Sequence, residues 1–393
     1  MYIHTTNENE AIKDIAKAYG VSCESIINNN ELVDVMPTVG EEILILTPTR
    51  TYTVRYGDTL ERLAIRFGMR RADITALNPW IETDGLTVGS EIALKYDERK
   101  YGMAVANGYF YSDCNIMQLR RVLPFLSYVT IAAAVCNNGN ITPIMNDSEI
   151  LKMLQNTNKI PLIRIYDKSE RCEHLCGKQR EQYINSLIDY ARKKNYKGIV
   201  LNVLSRFERE FMEFIVELKG KMIGCDLILF TESDENTDMS LAEYSDGTIL
   251  EYSKLAQNAP PSFSNGERKV FGNFACESES AKTFIGLPCF AKSHNHFTTV
   301  IDAIKEARRK KCKICRNEET LLCSFEEEHD KKCTFASLKN IKATLELLSE
   351  FGFMGISFDI MKTPQSYIMM YNAMFKTVGY TFENSKGGCA RDA

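Results

Sequence analysis

Two acidic side chains, Glu251 and Asp359, each stand near the end of an apolar, strand-like run, and Glu208 and Glu210 open an amphipathic stretch behind a third. Carboxyls placed this way could work as general acid and base on a substrate held between them, provided they face one another. Successive strand residues point to opposite faces, so if Tyr252 faces inward, Glu251 does not. The third run reads Lys197-Gly198-Ile199-Val200-Leu201-Asn202-Val203-Leu204. It offers an ammonium and an amide but no carboxyl. Leucine cannot donate a proton, so Leu204 leaves that strand end without general-acid assistance, typically worth ~10²–10⁴-fold. Glu208 and Glu210 follow as the acidic start of a helix, where a carboxylate suits the helix dipole.

Thirteen cysteines are many for such a chain, and the odd count leaves at least one thiol without an intrachain disulfide partner. Structural zinc sites usually show two tight Cys pairs, whereas only Cys312 and Cys315 are tightly spaced here, with Cys323 and Cys333 further on. The stretch from Cys323 to Cys333 reads as two strands around a polar turn, which favours cross-strand thiols or a disulfide over a metal. Cys172 and Cys176, with His174 between them, read as a reduced loop pair. His294 and His296 read as surface loop residues, and the basic run from Arg308 to Lys313 as solvated surface at a helix end. No metal or cofactor is called for.

The elements that must hold these groups alternate between strand and helix. Apolar runs cover Met103 to Phe110, Tyr128 to Val135, Ile160 to Tyr166, Gly198 to Leu204, Asp226 to Thr231, Gly247 to Tyr252, Thr283 to Phe290 and Gly355 to Met361. Helical stretches such as Gln179 to Asn195, Phe207 to Met222 and Ser337 to Phe351 separate most of them. Eight such strands over residues 101–384 predict an α/β fold, a (β/α)8 TIM barrel with a small β-rich insertion around Cys323 to Cys333. Active sites of such barrels sit at the C-terminal strand ends. A net charge of -4 gives no electrostatic reason to expect nucleic acid. The apolar runs fall far short of the ~20 residues a membrane helix needs. The N-terminal stretch lacks the basic and apolar regions of a secretory signal.

The first hundred residues repeat themselves. Ile15-Ala16-Lys17-Ala18-Tyr19-Gly20 matches Leu63-Ala64-Ile65-Arg66-Phe67-Gly68, and the same shift of 48 residues lays Asn30 on Asn78. With one further residue of slip, Val39-Gly40-Glu41-Glu42-Ile43 matches Val88-Gly89-Ser90-Glu91-Ile92. Each unit, residues 1–48 and 50–96, reads as strand, helix, helix, strand. Thr59 or Asp58 is placed to cap a helix whose apolar face is Leu60, Leu63, Ala64 and Phe67, and Gly68 stops it.

Tyr52-Thr53-Val54, Gly57-Asp58-Thr59-Leu60, Ala64 to Gly68, Asn78-Pro79 and Val88 to Ile92 together resemble the LysM domain, a βααβ module that binds N-acetylglucosamine-containing glycans. The resemblance implies a sugar groove between Gly57, Asp58, Thr59 and Leu60 on one side and Asn78, Pro79, Trp80 and Ile81 on the other. Trp80, the single tryptophan, has two roles open to it: stacking on a pyranose ring, or packing its own small core. The first repeat departs from the pattern, with Asn9-Glu10-Ala11 for Gly-Asp-Thr and Leu32 for Trp80, which puts its sugar binding in doubt.

Two such repeats ahead of a barrel resemble the spore-associated glycoside hydrolase family 18 enzymes that cleave cortex peptidoglycan fragments. The likeness is carried by Pro124 to Tyr128, Tyr196 to Ile199, Glu208 to Phe211 and Gly352 to Phe358. In that family the substrate's own acetamide oxygen attacks the anomeric carbon. An aspartate positions the acetamide, and a glutamic acid protonates the leaving oxygen, within a strand-four motif Asp-Gly-x-x-x-Asp-x-Glu. Here Lys197, Asn202 and Leu204 occupy the three acidic positions. On strand six Tyr252 is kept while Ser253 replaces an aspartate, and on strand eight Phe358-Asp359 replaces Tyr-Trp.

The resemblance therefore implies a peptidoglycan-binding protein of the spore envelope with an inactive barrel, reaching the forespore surface without export and cross-linked through thiols. Its partners would be peptidoglycan and spore coat proteins. Two alternatives stay open: an active N-acetylglucosaminidase with acids relocated to Asp359 and Glu251, and a coat-assembly protein whose barrel contacts protein.

Overall fold

The computed structural model describes residues 1–32, 36–96, 101–202, 208–233, 243–250, 268, 271–272, 275, 280–293, 296–326 and 332–377. In the first unit β1 (Tyr2–Thr5) pairs antiparallel with β2 (Glu42–Ile45) across α1 (Ile12–Tyr19) and α2 (Cys23–Asn30). The second repeats this with β3 (Arg50–Thr53), α3 (Leu60–Phe67), α4 (Arg71–Leu77), a short α5 (Ile81–Asp84) and β4 (Glu91–Lys95). The shared residues explain the shared shape. Gly20 and Gly68 end α1 and α3 in the left-handed conformation, at φ 67° and 64°, where a side chain would be strained. Thr59 caps α3 by accepting from the Arg62 amide.

Asn30 and Asn78 do one job twice. Each side-chain amide donates to a carbonyl of the second helix (Ile26 or Ile74) and to a carbonyl of the closing strand (Leu44 or Ala93). Each side-chain oxygen accepts the amide of that same strand residue, at 2.8 Å in both repeats. Even the divergent turn is equivalent. Asp58 accepts from the Arg55 amide and the Tyr52 hydroxyl, and Glu10 accepts from the Asn7 amide and bonds the His4 ring. Asn9 adopts a positive φ of 59° where Gly57 has 84°.

The barrel closes on eight described parallel strands. They are β5 (Met103–Phe110), β6 (Tyr128–Asn137), β8 (Ile160–Asp167), β9 (Gly198–Asn202), β10 (Ile228–Ser233), β11 (Gly247–Leu250), β12 (Thr283–Gly286) and β18 (Gly355–Asp359). β5 pairs with both β6 and β18, which shuts the ring. All eight expected runs are barrel strands. A hairpin arm, β7 (Asn140–Pro143), folds back on β6. The run expected through Phe290 divides after Gly286, because Pro288 has no amide to donate to a ladder. Helices α6 (Ile116–Val122), α7 (Ser148–Leu154), α8 (Gly177–Lys193) and α9 (Glu208–Ile223) cover the outside, followed by α10 (Val300–Arg309), α11 (Leu338–Glu350) and α12 (Gln365–Met374). Inside, Tyr128, Phe230 and Phe284 pack ring against ring at 5.1–5.8 Å and plug the floor together with Val105, Leu162, Val200 and Ile249. The interior is a packed core.

The expected insertion is a five-stranded antiparallel sheet, ordered β14 (His296–Thr299), β13 (Phe290–Ser293), β17 (Lys332–Ala336), β16 (Leu322–Glu326), β15 (Cys315–Arg316). Its hairpin sets Cys323 opposite Phe335 and Cys333 opposite Phe325. The two thiols lie on neighbouring strands, offset by two residues, and no described cysteine is in a disulfide.

Both repeats are fastened to the barrel. Glu41 forms a two-pronged pair with Arg308 at 2.5 and 2.9 Å, both side chains almost wholly buried. Glu42 bonds Arg316, the Thr38 hydroxyl donates to the Cys312 carbonyl, and the Ile314 amide donates to the Val39 carbonyl. A Cβ on Gly40 would stand 1.9 Å from the Ile314 carbonyl oxygen, so this turn requires glycine. Arg308 therefore departs from the expected solvated basic run, because repeat 1 sits on it, whereas Arg309, Lys311 and Lys313 are exposed as expected. In the second unit α5 lies against α6, and the Asn372 side chain of α12 donates to the Ala76 carbonyl.

Candidate functional site

The mouth of the barrel is built by residues that alternation turns inward at the strand ends. Arg164 and Tyr166 of β8, Asn202 of β9 and Glu232 of β10 continue the inner faces begun by Leu162, Val200 and Phe230. Tyr109 of β5 and Asp359 of β18 pair level with each other. At the centre is an ion pair. Arg164 donates to both oxygens of Glu232, at 2.6 and 2.7 Å, and the Tyr109 hydroxyl donates to Glu232 Oε1 at 2.6 Å. Burial opposes charge on Arg164, but Glu232 outweighs it and holds the guanidinium firmly protonated. Burial and the same carboxylate push the Tyr109 hydroxyl far above its usual range.

Aromatic faces ring this pair. The Arg164 guanidinium lies 4.9 Å from the centre of the Tyr166 ring, which is 40% exposed. Tyr111 stacks on Tyr109 at 5.8 Å, and the Lys362 ammonium lies 4.9 Å over Tyr111. Asp359 is tied down: one oxygen accepts the amides of Met361 and Lys362, the other the Lys362 ammonium at 3.0 Å. That turn also ends β18 at Asp359, short of the expected Met361.

The groups singled out in the sequence are scattered by this geometry. Lys197 sits at the opposite, N-terminal end of β9, its amide bonded to the Pro161 carbonyl, away from the mouth. Asn202 is at the mouth, level with Glu232, and its amide is committed. Its oxygen accepts the Asp167 amide at 2.7 Å, and its nitrogen donates to the Asp167 carbonyl. Leu204, Glu251, Tyr252, Ser253 and His294 lie outside the described residues. Glu208 begins α9, as expected of a helix start, and His296 is an exposed residue of β14.

In the second repeat Gly57 and Thr59 are exposed and Asp58 and Leu60 half-buried, while Asn78, Pro79, Trp80 and Ile81 are all buried. Trp80, 6% exposed, packs with Val54, Leu63, Ile74, Ile81 and Ile92, so burial favours the packing role of the two left open. Asn78 is fully engaged with the main chain. The aromatic ring presented beside the Gly57 turn is Tyr56, 96% exposed. Hydrogen bonds from the Arg55 amide and the Tyr52 hydroxyl hold Asp58 below the usual carboxylate range.

Sequence reading missed Arg164, Glu232, Tyr109 and Tyr166. A signal was there: Arg164 and Glu232 are single charges of opposite sign near the C-terminal ends of otherwise apolar runs. Tyr56 was equally legible as an aromatic preceding the Gly-Asp-Thr turn.

Comparison with known proteins matches the LysM domain model at residues 4–45 and at 52–95. A protein named as a sporulation-specific glycosylase, YdhD of Bacillus subtilis, is 22% identical over 236 residues, a match spanning 56% of this chain and 56% of YdhD. The spore cortex-lytic enzyme SleL of Bacillus megaterium superposes with a TM-score of 0.72 at 18% identity, covering 96% of this chain and 99% of SleL. SleL of Bacillus cereus gives 0.74 at 15% identity, over 97% and 100%. The chain thus carries two LysM domains ahead of a barrel with the fold of the spore cortex-lytic enzyme SleL.

Proposed function

We propose that the chain is a peptidoglycan-binding protein of the spore envelope whose family 18-like barrel serves as a non-catalytic scaffold or sugar-binding surface. The observation that carries this reading is the state of the acidic and amide groups at the described mouth. Glu232 has both oxygens held by Arg164, Asp359 is bound by its own turn, and Asn202 is committed to backbone where the family uses an aspartate. With Leu204 at the proton donor's position, neither Glu232 nor Asp359 is free to protonate a departing glycosidic oxygen. A glycosidase with acids relocated to Asp359 finds no support in that geometry. Glycan capture falls to the second repeat, where Tyr56, Gly57 and Thr59 face solvent. The resemblance to spore proteins supports a place at the cortex or coat, and the exposed thiols of Cys23, Cys176 and Cys315 suit cross-linking to coat proteins.

Purified full-length chain should be retained on insoluble peptidoglycan while releasing nothing from cortex fragments or a fluorogenic chitobioside. Turnover that disappears in Asp359→Asn or Glu208→Gln would overturn the reading. On a non-reducing gel of spores, the chain should migrate above its monomer and collapse on reduction. Monomer in both lanes would count against cross-linking.

A further inference from the structure

Behind the mouth, between the ends of β6 and β8 and the start of α8, lies a buried nest that no step above uses. Cys136 is the last residue but one of β6, Asp167 closes β8, and His174 lies in the single-turn helix Glu173–Leu175 before α8. Their exposures are 0%, 6% and 3%. The Cys136 sulfur, a carboxylate oxygen of Asp167 and a ring nitrogen of His174 all lie within 4.8 Å of one another. We propose that this nest binds a zinc ion through the Cys136 sulfur, the Asp167 carboxylate and His174 Nε2, with water completing the set.

Three features point there. First, the donors converge. His174 Nε2 and Asp167 Oδ2 stand 2.8 Å apart, and the Cys136 sulfur lies within 4.8 Å of a donor atom of each residue. The Tyr183 hydroxyl of α8 lies against that sulfur. Zinc takes the place of the proton between Nε2 and Oδ2, which moves to Nδ1 so that the ring stays neutral.

Second, the charges balance. Zinc displaces the proton of the Cys136 thiol to solvent, so a thiolate and a carboxylate meet a dication and the buried cluster closes neutral. Third, the donor types are those zinc takes, sulfur and imidazole with carboxylate. Donors on one tetrahedral zinc stand roughly 3.3–3.8 Å apart, so binding spreads Nε2 and Oδ2 slightly from 2.8 Å and brings the sulfur in beside them. Asp167 is already fixed for this: the Ser169 amide donates to its other oxygen, and Asn202 holds its main chain.

The test uses full-length chain, stripped with a chelator and reloaded with zinc or cobalt(II). We expect one zinc per chain by elemental analysis, a higher melting temperature on loading, and a thiolate-to-cobalt charge-transfer band in the near ultraviolet. Cys136→Ser should remove that band, while Cys172→Ser/Cys176→Ser leaves it intact. Should Cys136→Ser fail to fold, His174→Gln reads the same site, with loss of the zinc and of the cobalt band. Wild-type chain that retains no zinc and shows no band would overturn the proposal and leave the nest to a buried water. A band lost only with Cys172 and Cys176 would overturn it too, by moving the metal to the surface loop.

Discussion

Replacing Arg164 by methionine leaves the Glu232 carboxylate in the barrel wall with the Tyr109 hydroxyl as its remaining partner among those described. The two side chains are 3% and 13% exposed, so neither charge regains its hydration by a small rotation. Removing one member of such a pair costs roughly 3–5 kcal/mol, because the other charge stays behind unpaired. The mirror change, Glu232→Gln, strands the guanidinium. The Tyr166 and Tyr109 rings beside it return about 0.5–2 kcal/mol at most. Exchanging both, Arg164→Met with Glu232→Met, should recover most of the loss, since an apolar pair of similar volume needs no hydration. At roughly 2 °C per kcal/mol for a domain this large, each single variant should melt about 6–10 °C lower and the double variant within about 3 °C of wild type. Calorimetry on the full chain at neutral pH measures all three. Losses that simply add in the double variant, or a Glu232→Gln that melts like wild type, would refute the view of Glu232 as a structural counter-ion.

Glu41→Ala should release repeat 1 from the insertion; hydrogen exchange at the Ile314 amide, now held by the Val39 carbonyl, should quicken about a hundredfold, and unchanged exchange would contradict the latch. Tyr56→Ala should weaken retention on peptidoglycan without moving the melting temperature, whereas Trp80→Ala should destabilise the second repeat by about 3–5 kcal/mol. Retention untouched by Tyr56→Ala would remove that ring from the glycan surface. Burial, helped by nearby Arg70, pulls the Lys159 ammonium down to about 8 from 10.5. The unfolded chain therefore binds more protons between about pH 8 and 10.5, and raising the pH through that window should favour the folded state. Melting curves of Lys159→Met against wild type should converge over the same interval; a constant difference would refute the assignment.

The eight barrel strands were legible because each is an apolar run bounded by turn residues, and the repeats because Gly20 and Gly68, or Asn30 and Asn78, recur at one spacing. What the repeat could not say is why asparagine recurs. Beside Pro79 and Trp80 it read as a ligand-facing loop, and the structure makes it a clamp between helix and strand. Arg308 misled for a related reason. A basic run at a helix end looks solvated until Glu41, 267 residues earlier, is folded onto it. Arg164 and Glu232 are 68 residues apart, so neither announced the other. Local pattern carries elements well; long-range neutralisation of charge leaves almost no local trace.

The anchoring of both repeats has a mechanical consequence. Modules joined by slack chain can grip a wall while their cargo swings and samples the neighbourhood. Here Glu41 and Glu42 lock one repeat to the insertion, and Asn372 with α5 holds the other against the barrel flank. A glycan strand seized by the second repeat would thus present itself to the barrel at a fixed angle and a fixed distance. The molecule works as a bracket rather than a tethered hook.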